Sequence, residues 1–302
     1  MKKFRSNGKL FLIGEYIVMD GAKAFALPTK YGQCLFIENS SQENCIEWKA
    51  TKFDDSIWFE VVFSLDTLAI ISCSNDALSE SLQRILIQAK SLNPAFFQTS
   101  RGYSCITKLE YPQEWGLGSS STLIDLISQW VGIDPFVLNH LTFNTSGYDI
   151  ACAHHDKPIL FSNQPTIKVE ELELKWDFTD QLYFVFLNQK QDTQAVVGNH
   201  YKNKPKDWEM IHELSDLVLA ASQVNTLEAL ESILTTYQNR LEEFMKIAQP
   251  KATYFPDYQG VIKSLGAWGG DFVLVTYREG MHEYFKSKGY HTILPFEEMI
   301  LS

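Results

Sequence analysis

The sequence predicts an α+β fold in two parts, and three observations carry that prediction. Up to about Phe161 the chain reads mainly as strands, whereas from Asn188 it reads mainly as helices, which places a boundary between those residues. A chain of 302 residues can bury more core than a single small domain needs. Its 45% hydrophobic and 21% charged residues belong to a globular chain, neither disordered nor membrane-spanning. The division is drawn at residues 1–175 and 176–302.

The N-terminal stretch Gly8-Lys-Leu-Phe-Leu-Ile-Gly-Glu-Tyr-Ile-Val-Met-Asp-Gly21 reads as two short strands meeting around Gly14, with a turn at Asp20-Gly21. Lys9 and Glu15 are odd there, because a charge inside apolar sequence is costly unless it faces a polar site or water. Further strands are expected at Ala24–Leu27, Gln33–Glu38, Cys45–Ala50 and Ile57–Leu65. Asp76–Leu92 has helical spacing, with Leu78, Leu82, Ile85, Leu86 and Ala89 on one face and Asn75 and Asn93 at its ends. Arg101–Leu109 is a strand that leads into Trp115-Gly-Leu-Gly-Ser-Ser-Ser-Thr122 and a helix through Val131.

Glycines at 116 and 118 allow a tight turn with backbone close to a ligand. A helix starting in the following hydroxyls has unpaired N–H groups and partial positive charge at its end, so the loop can receive an anion. A short helix follows at Pro135–Leu141, and another starts near Gly147. Asp149 then falls in its first turn, where the helix dipole favours a carboxylate. His154-His155-Asp156 reads as a helix end and turn, because adjacent histidines do not share a helical face.

Strands are expected at Ile159–Phe161, Ile167–Leu174 and Leu182–Leu187, then a polar loop from Asn188 entering a helix near Asn199. Long amphipathic helices follow at Trp208–Gln223 and Leu227–Ala248, and a shorter one at Tyr258–Leu265. Lys263-Ser-Leu-Gly-Ala-Trp-Gly-Gly-Asp271 then reads as a glycine-rich turn from helix into a buried strand; its three glycines exceed what a helix C-cap needs. A helix at Gly280–Lys288 and a strand at Tyr290–Leu294 complete the reading.

Cys34, Cys45, Cys73, Cys105 and Cys152 are odd in number, with no C-x-x-C pair, a pattern of a reducing, cytoplasmic setting without a zinc or disulfide framework. The net charge of -11 argues against nucleic acid or an anionic membrane as partner, and the N-terminus does not read as a signal peptide. A small-molecule ligand is the expected partner, and a homodimer is left open.

Taken together, the Lys/Gly/Glu segment, the Gly-Leu-Gly-Ser-Ser-Ser loop and the Gly-Ala-Trp-Gly-Gly turn resemble, in this order, the GHMP small-molecule kinase superfamily. The Walker loop and the protein-kinase motif set are absent. Gly8-Lys-Leu-Phe-Leu-Ile-Gly-Glu-Tyr-Ile-Val is similar to the start of mevalonate and phosphomevalonate kinases, and Ser146-Gly-Tyr-Asp-Ile-Ala to their S-G-x-D segment. The resemblance implies a two-domain α+β fold, with a ribosomal protein S5 domain 2-like N-terminal part and a ferredoxin-like C-terminal part. It also implies ATP and Mg²⁺ as cofactors and an alcohol as acceptor, mevalonate first and phosphomevalonate second. A kinase-like nucleotide-binding protein without turnover is the alternative from another class.

By the same resemblance Asp149 and Lys9 are the catalytic pair. Gly116, Leu117, Gly118, Ser119, Ser120 and Ser121 hold the phosphates, with the Ser120 hydroxyl on the metal. Glu15, Tyr16, Gly147, Gly266 and Gly269 lie on the substrate side. A phosphorylated acceptor would want further cations, for which Lys9, Lys23, Lys30 and Lys190 are candidates. The sequence departs from the family pattern in that Gln113-Glu-Trp115 stands where the loop is usually richer in glycine, Ser119 and Asp149 are closer in sequence than usual, Trp268 and Asp271 occupy places where smaller residues are common, and no carboxylate is identified to share the metal with Ser120.

Overall fold

The computed structural model describes residues 1–98, 101–189, 198–266 and 268–301, with the Asn199 side chain left aside. The expected loop after Asn188, with Lys190, therefore lies largely outside the described residues. By packing, the chain groups into two units, each built from several segments. The first holds residues 1–8, 31–113 and 117–154, and the second holds 9–30, 114–116 and 155–302. The contiguous division at 175 and 176 is kept as a proposal.

The strands in chain order are β1 (Lys2–Ile13), β2 (Ala24–Asn39), β3 (Cys45–Thr51), β4 (Ile57–Ser64), β5 (Ile70–Cys73) and β6 (Tyr103–Leu109). β1 and β2 each run from one unit into the other along the chain. In the first unit β3 pairs antiparallel with β4 and parallel with β6, so the sheet is mixed. β5 extends it beyond β4, and β6 pairs antiparallel with the second half of β2. Strand alternation decides which face is buried: Ile46, Trp48 and Ala50 of β3 and Phe59, Val61 and Phe63 of β4 point the same way.

That face packs against helices α1 (Asp76–Leu92), α2 (Ser119–Val131), α3 (Pro135–Thr142) and α4 (Tyr148–His154). Helix α1 begins where the sequence places it, because the Asn75 side chain accepts the Leu78 N–H at 3.1 Å. Leu82, Ile85, Leu86 and Ala89 are buried on its inner face. Trp130 of α2 stands edge-on to Phe96 and Tyr103, at 5.4 and 5.2 Å between ring centroids.

In the second unit the first half of β2 pairs with β7 (Ile159–Ser162), and β7 pairs with β8 (Lys168–Glu171). A separate antiparallel sheet has the order β10-β11-β9-β12, from Leu182–Phe186 (β9), Ile262–Ser264 (β10), Phe272–Thr276 (β11) and Ile293–Pro295 (β12). β11 is buried at every position, as a central strand with both faces covered should be. The long helices Trp208–Gln223 and Leu227–Met245 open on side-chain caps from Asp207 and Thr226. Gln238 of the second hydrogen-bonds both the Ile262 carbonyl and the Ser264 N–H, so the outer edge of β10 is satisfied by a side chain.

Several expectations are corrected. The segment after Gly14 is not a strand but a 3-10 turn, Ile17–Asp20, because Gly14 (φ 112°) and Tyr16 (φ 67°) turn the backbone out of the extended region. Ala24–Leu27 and Gln33–Glu38 are one continuous strand through Pro28. The helix expected at Tyr258–Leu265 is absent: Ile262–Ser264 pairs with β11, and a short helix forms earlier, at Pro250–Tyr254. The third glycine element therefore joins two strands rather than a helix and a strand. The helix from Leu227 stops at Met245, since Lys246 adopts a left-handed conformation (φ 59°). Among the described residues no helix is long and apolar enough to cross a membrane.

Replacing Trp130 with alanine removes the ring on which Phe96 and Tyr103 close. We expect it to destabilise the protein by about 3–5 kcal/mol, read as a lowered urea midpoint.

Candidate active site

The first glycine loop follows β6. Residues Gln113–Trp115, the irregular stretch ahead of the glycines, form a 3-10 turn. Gly116 (φ 67°) and Gly118 (φ 89°) both need a left-handed backbone, which explains glycine at each. Leu117 between them is fully buried, so its side chain anchors the loop.

Gly118 is the N-cap of α2 and supplies no capping side chain. The first turn of α2 thus presents N–H groups together with the hydroxyls of Ser119, Ser120 and Ser121, the arrangement that suits an anion. Ser120 is exposed, Ser119 half-buried and Ser121 buried. The sequence placed the helix start in the serines, one residue beyond its N-cap glycine.

Ser121 turns inward to Asp149. Its Oγ donates to Asp149 Oδ2 at 2.5 Å, while Asp149 Oδ1 accepts from the Ile150 N–H at 3.1 Å and the Thr145 hydroxyl at 3.4 Å. Gly147 (φ 93°) precedes this point, and its carbonyl accepts the Ala151 N–H as α4 begins. The sequence placed Asp149 in the first turn of a helix, and that is where it sits. Four residues along α2 from Ser121, the fully buried Asp125 accepts from His154 Nδ1 at 2.9 Å, from Gln129 Nε2 at 2.7 Å and from Ser6. Residues 121 and 125 share a helical face, so α2 and α4 are joined at both ends of α4. His154 serves that joint.

Lys9, Glu15 and Tyr16 belong to the second unit. The Lys9 ammonium is half-buried and approaches the Gly116 carbonyl at 3.5 Å. Glu15 is not at the surface: its Oε1 accepts from Lys263 Nζ at 2.5 Å and from the Trp268 indole N–H at 3.1 Å. Lys263 has no exposed side-chain surface, and burial pushes its ammonium pKa down while Glu15 opposes that shift. The Tyr16 hydroxyl accepts the Trp268 backbone N–H at 2.9 Å, and burial raises its phenol pKa.

Glu15 and Tyr16 are thus committed to the third glycine turn, which contains Gly266 (φ 79°) and Gly269 (φ 107°). A substrate-binding role for these four residues and Gly147 is a proposal. The Lys30 ammonium donates to the Glu297 carbonyl, while the contact of Lys23 with Ser215 is made by its backbone N–H and leaves its ammonium a candidate.

Sequence reasoning did not weigh Lys263. The signal was available: like Lys9 and Glu15, it is a charge in an apolar segment beside a glycine turn.

The Ser119–Ser121 hydroxyls and the Asp149 carboxylate are all hard oxygen donors, which fits Mg²⁺. Among the described residues no group of three or more His, Cys, Asp or Glu gathers to hold a metal. An ion at this loop would therefore share its coordination with ligand oxygens, the usual habit of Mg²⁺ beside phosphates.

No protein-family model matches the sequence, and no curated protein matches it significantly. Solved structures do match in fold. A mevalonate kinase superposes with a TM-score of 0.69 at 17% identity, over 97% of this chain and 98% of its own. The Lin0012 protein from Listeria innocua gives 0.75 at 15%, over 97% and 96%. Phosphomevalonate kinase from Streptococcus pneumoniae, in complex with phosphomevalonate and AMPPNP, gives 0.70 at 16%, over 95% and 96%. The chain thus has the two-domain α+β fold of GHMP kinases, as the motif resemblance implied.

The buried pair yields a stability test. Lys263→Met alone strands the Glu15 carboxylate and is expected to cost about 3–5 kcal/mol in urea unfolding. Adding Glu15→Gln should recover part of that loss, a coupling that a double-mutant cycle reads directly.

Proposed function

We propose that this protein is an ATP- and Mg²⁺-dependent kinase that phosphorylates the hydroxyl of a small carboxylated alcohol, with mevalonate the first candidate. One observation carries the reading: the carboxylate of Asp149 is held by Ser121 from the first turn of the helix whose glycine-capped N-terminus suits phosphate. A candidate base and a candidate phosphate cradle are thereby fixed to each other within one unit. The GHMP kinase fold supports the same reading.

In this reading the backbone N–H groups from Gly118 to Ser121 hold the nucleotide phosphates, and the Ser120 hydroxyl reaches the metal. Bound Mg²⁺ neutralises phosphate charge. Phosphoryl transfer then needs mainly positioning and electrostatic support. Asp149 accepts or orients the proton of the attacking hydroxyl, since a carboxylate already taking hydrogen bonds still has lone pairs to offer. Ser121 and the Ile150 N–H restrict its rotation. Lys9 supplies positive charge for the alcohol oxygen or the transferring phosphoryl group.

Phosphomevalonate is the second reading. Tyr16 stands where mevalonate kinases commonly have histidine, and Gly147-Tyr-Asp-Ile-Ala is similar to the phosphomevalonate branch.

The deciding experiment measures ADP release with ATP and Mg²⁺ against mevalonate, phosphomevalonate, galactose and homoserine. We expect turnover on mevalonate, and a fall of about 10²–10⁴ in kcat for Asp149→Asn with nucleotide affinity little changed. Turnover confined to phosphomevalonate would promote the second reading. Full activity in Asp149→Asn would sink the role given to that carboxylate.

A further inference from the structure

We infer that Asn139 is a positioning residue for Asp149: it draws off the Thr145 hydroxyl proton and so keeps one carboxylate oxygen open to an acceptor alcohol. The inference rests on the kinase reading above and concerns the first unit alone.

Asp149 has little spare capacity. Its Oδ2 takes the hydroxyl of the buried Ser121 at 2.5 Å. Its Oδ1 takes the Ile150 N–H at 3.1 Å, a backbone donor that cannot turn away. A carboxylate oxygen has two lone pairs, so Oδ1 has one left. Thr145 Oγ1 lies 3.4 Å from the same oxygen and competes for that lone pair.

Thr145 has a second acceptor within reach. Its Oγ1 is 3.1 Å from Asn139 Oδ1, nearer than the carboxylate. The Asn139 amide presents its oxygen there because its Nδ2 donates to the Thr145 carbonyl at 3.5 Å. A hydroxyl has a single proton and neither acceptor oxygen brings one, so Thr145 serves one of them at a time. The shorter approach favours Asn139.

Asn139 is itself well fixed. It is buried on α3, and its carbonyl accepts the N–H groups of Phe143 and Asn144 at 3.0 and 2.8 Å. The loop that carries the exposed Thr145 therefore closes around it before α4 begins. An amide in a buried position costs free energy unless its polar atoms are used, and here both ends are turned to Thr145. With the hydroxyl on Asn139, the open lone pair of Asp149 Oδ1 can take the proton of an alcohol. The alcohol O–H bond then breaks and a new O–H bond forms on Asp149. The oxygen's electron pair goes to the γ-phosphorus, and ADP leaves with the pair of the broken P–O bond.

The test is steady-state ADP release by the full chain with ATP, Mg²⁺ and mevalonate, with phosphomevalonate as the parallel acceptor. Asn139→Leu leaves Asp149 as the protein acceptor for the Thr145 hydroxyl. It should lower kcat about tenfold, the scale of one hydrogen bond to a charged group, with KM for ATP within about twofold. Adding Thr145→Val removes the competing proton and should raise kcat again by at least about threefold. Recovery through a second substitution is what a merely structural role of Asn139 does not produce, and the Thr145→Val single variant completes the cycle. Asn139→Ala, with and without Thr145→Val, repeats the comparison against poor packing of the leucine. A defect that Thr145→Val leaves unchanged or deepens, or full activity in Asn139→Leu, would overturn the role of Asn139 and leave the kinase reading standing. No turnover by the wild type on either acceptor would overturn both.

Discussion

A lysine ammonium with no exposed surface persists only beside a counter-charge, and in this protein that requirement fixes the second unit. Lys263 has Glu15, and Glu15 in turn takes the Trp268 indole N–H. The Tyr237 hydroxyl donates to the Glu15 carbonyl from the long helix Leu227–Met245. Three segments far apart in sequence are thereby committed to one small polar cluster inside an apolar interior. Such a cluster gains little net stability, because desolvation offsets most of the attraction. What it does is join two turns: the one after Gly14 and the one after Ser264 meet at a buried ion pair.

The first unit solves a related problem on α2. Its N-terminus is left to backbone and hydroxyl groups, while Ser121 and Asp125, one helical turn apart, bind the two ends of α4. A general base, the role proposed for Asp149, must be placed to within a few tenths of an ångström of its productive position, and a side chain on a loop would hardly achieve that. Asp149 sits at a helix start, with its Oδ1 pinned by the adjacent N–H. The rigidity comes from ordinary helix packing. Asp125 contributes to that scaffold from the interior, where three hydrogen-bond donors satisfy it.

Much of this was legible in the sequence. Helix α1 was readable to the residue because a 3.6-residue apolar pattern and an asparagine cap agree. Asp149 was readable because glycine and a polar pair announced the helix start before it. The oddity of Lys9 and Glu15 also pointed the right way, as charges that needed a polar destination. The partners were not legible, since Lys263 pairs with Glu15 across most of the chain and no local pattern encodes that. Ile17–Asp20 misled because its apolar run matches a strand, and the turn depends on a positive φ at Tyr16 that few side chains adopt. Ile262–Ser264 misled for the opposite reason, a helix-like pattern overridden by pairing with β11.

The interleaving of the two packing units along the chain has a kinetic consequence. Residues 9–30 belong with residues 155–302, yet they are made before nearly all of the first unit. Their partners do not exist until that intervening sequence has been synthesised. The second unit must then close a loop that contains most of the first, an entropic cost met before its long-range contacts form. Folding during synthesis should therefore run from the inside of the chain outward, with the early strands β1 and β2 half waiting. A piece cut at any single point would carry unmatched strand, an aggregation-prone edge rather than a domain.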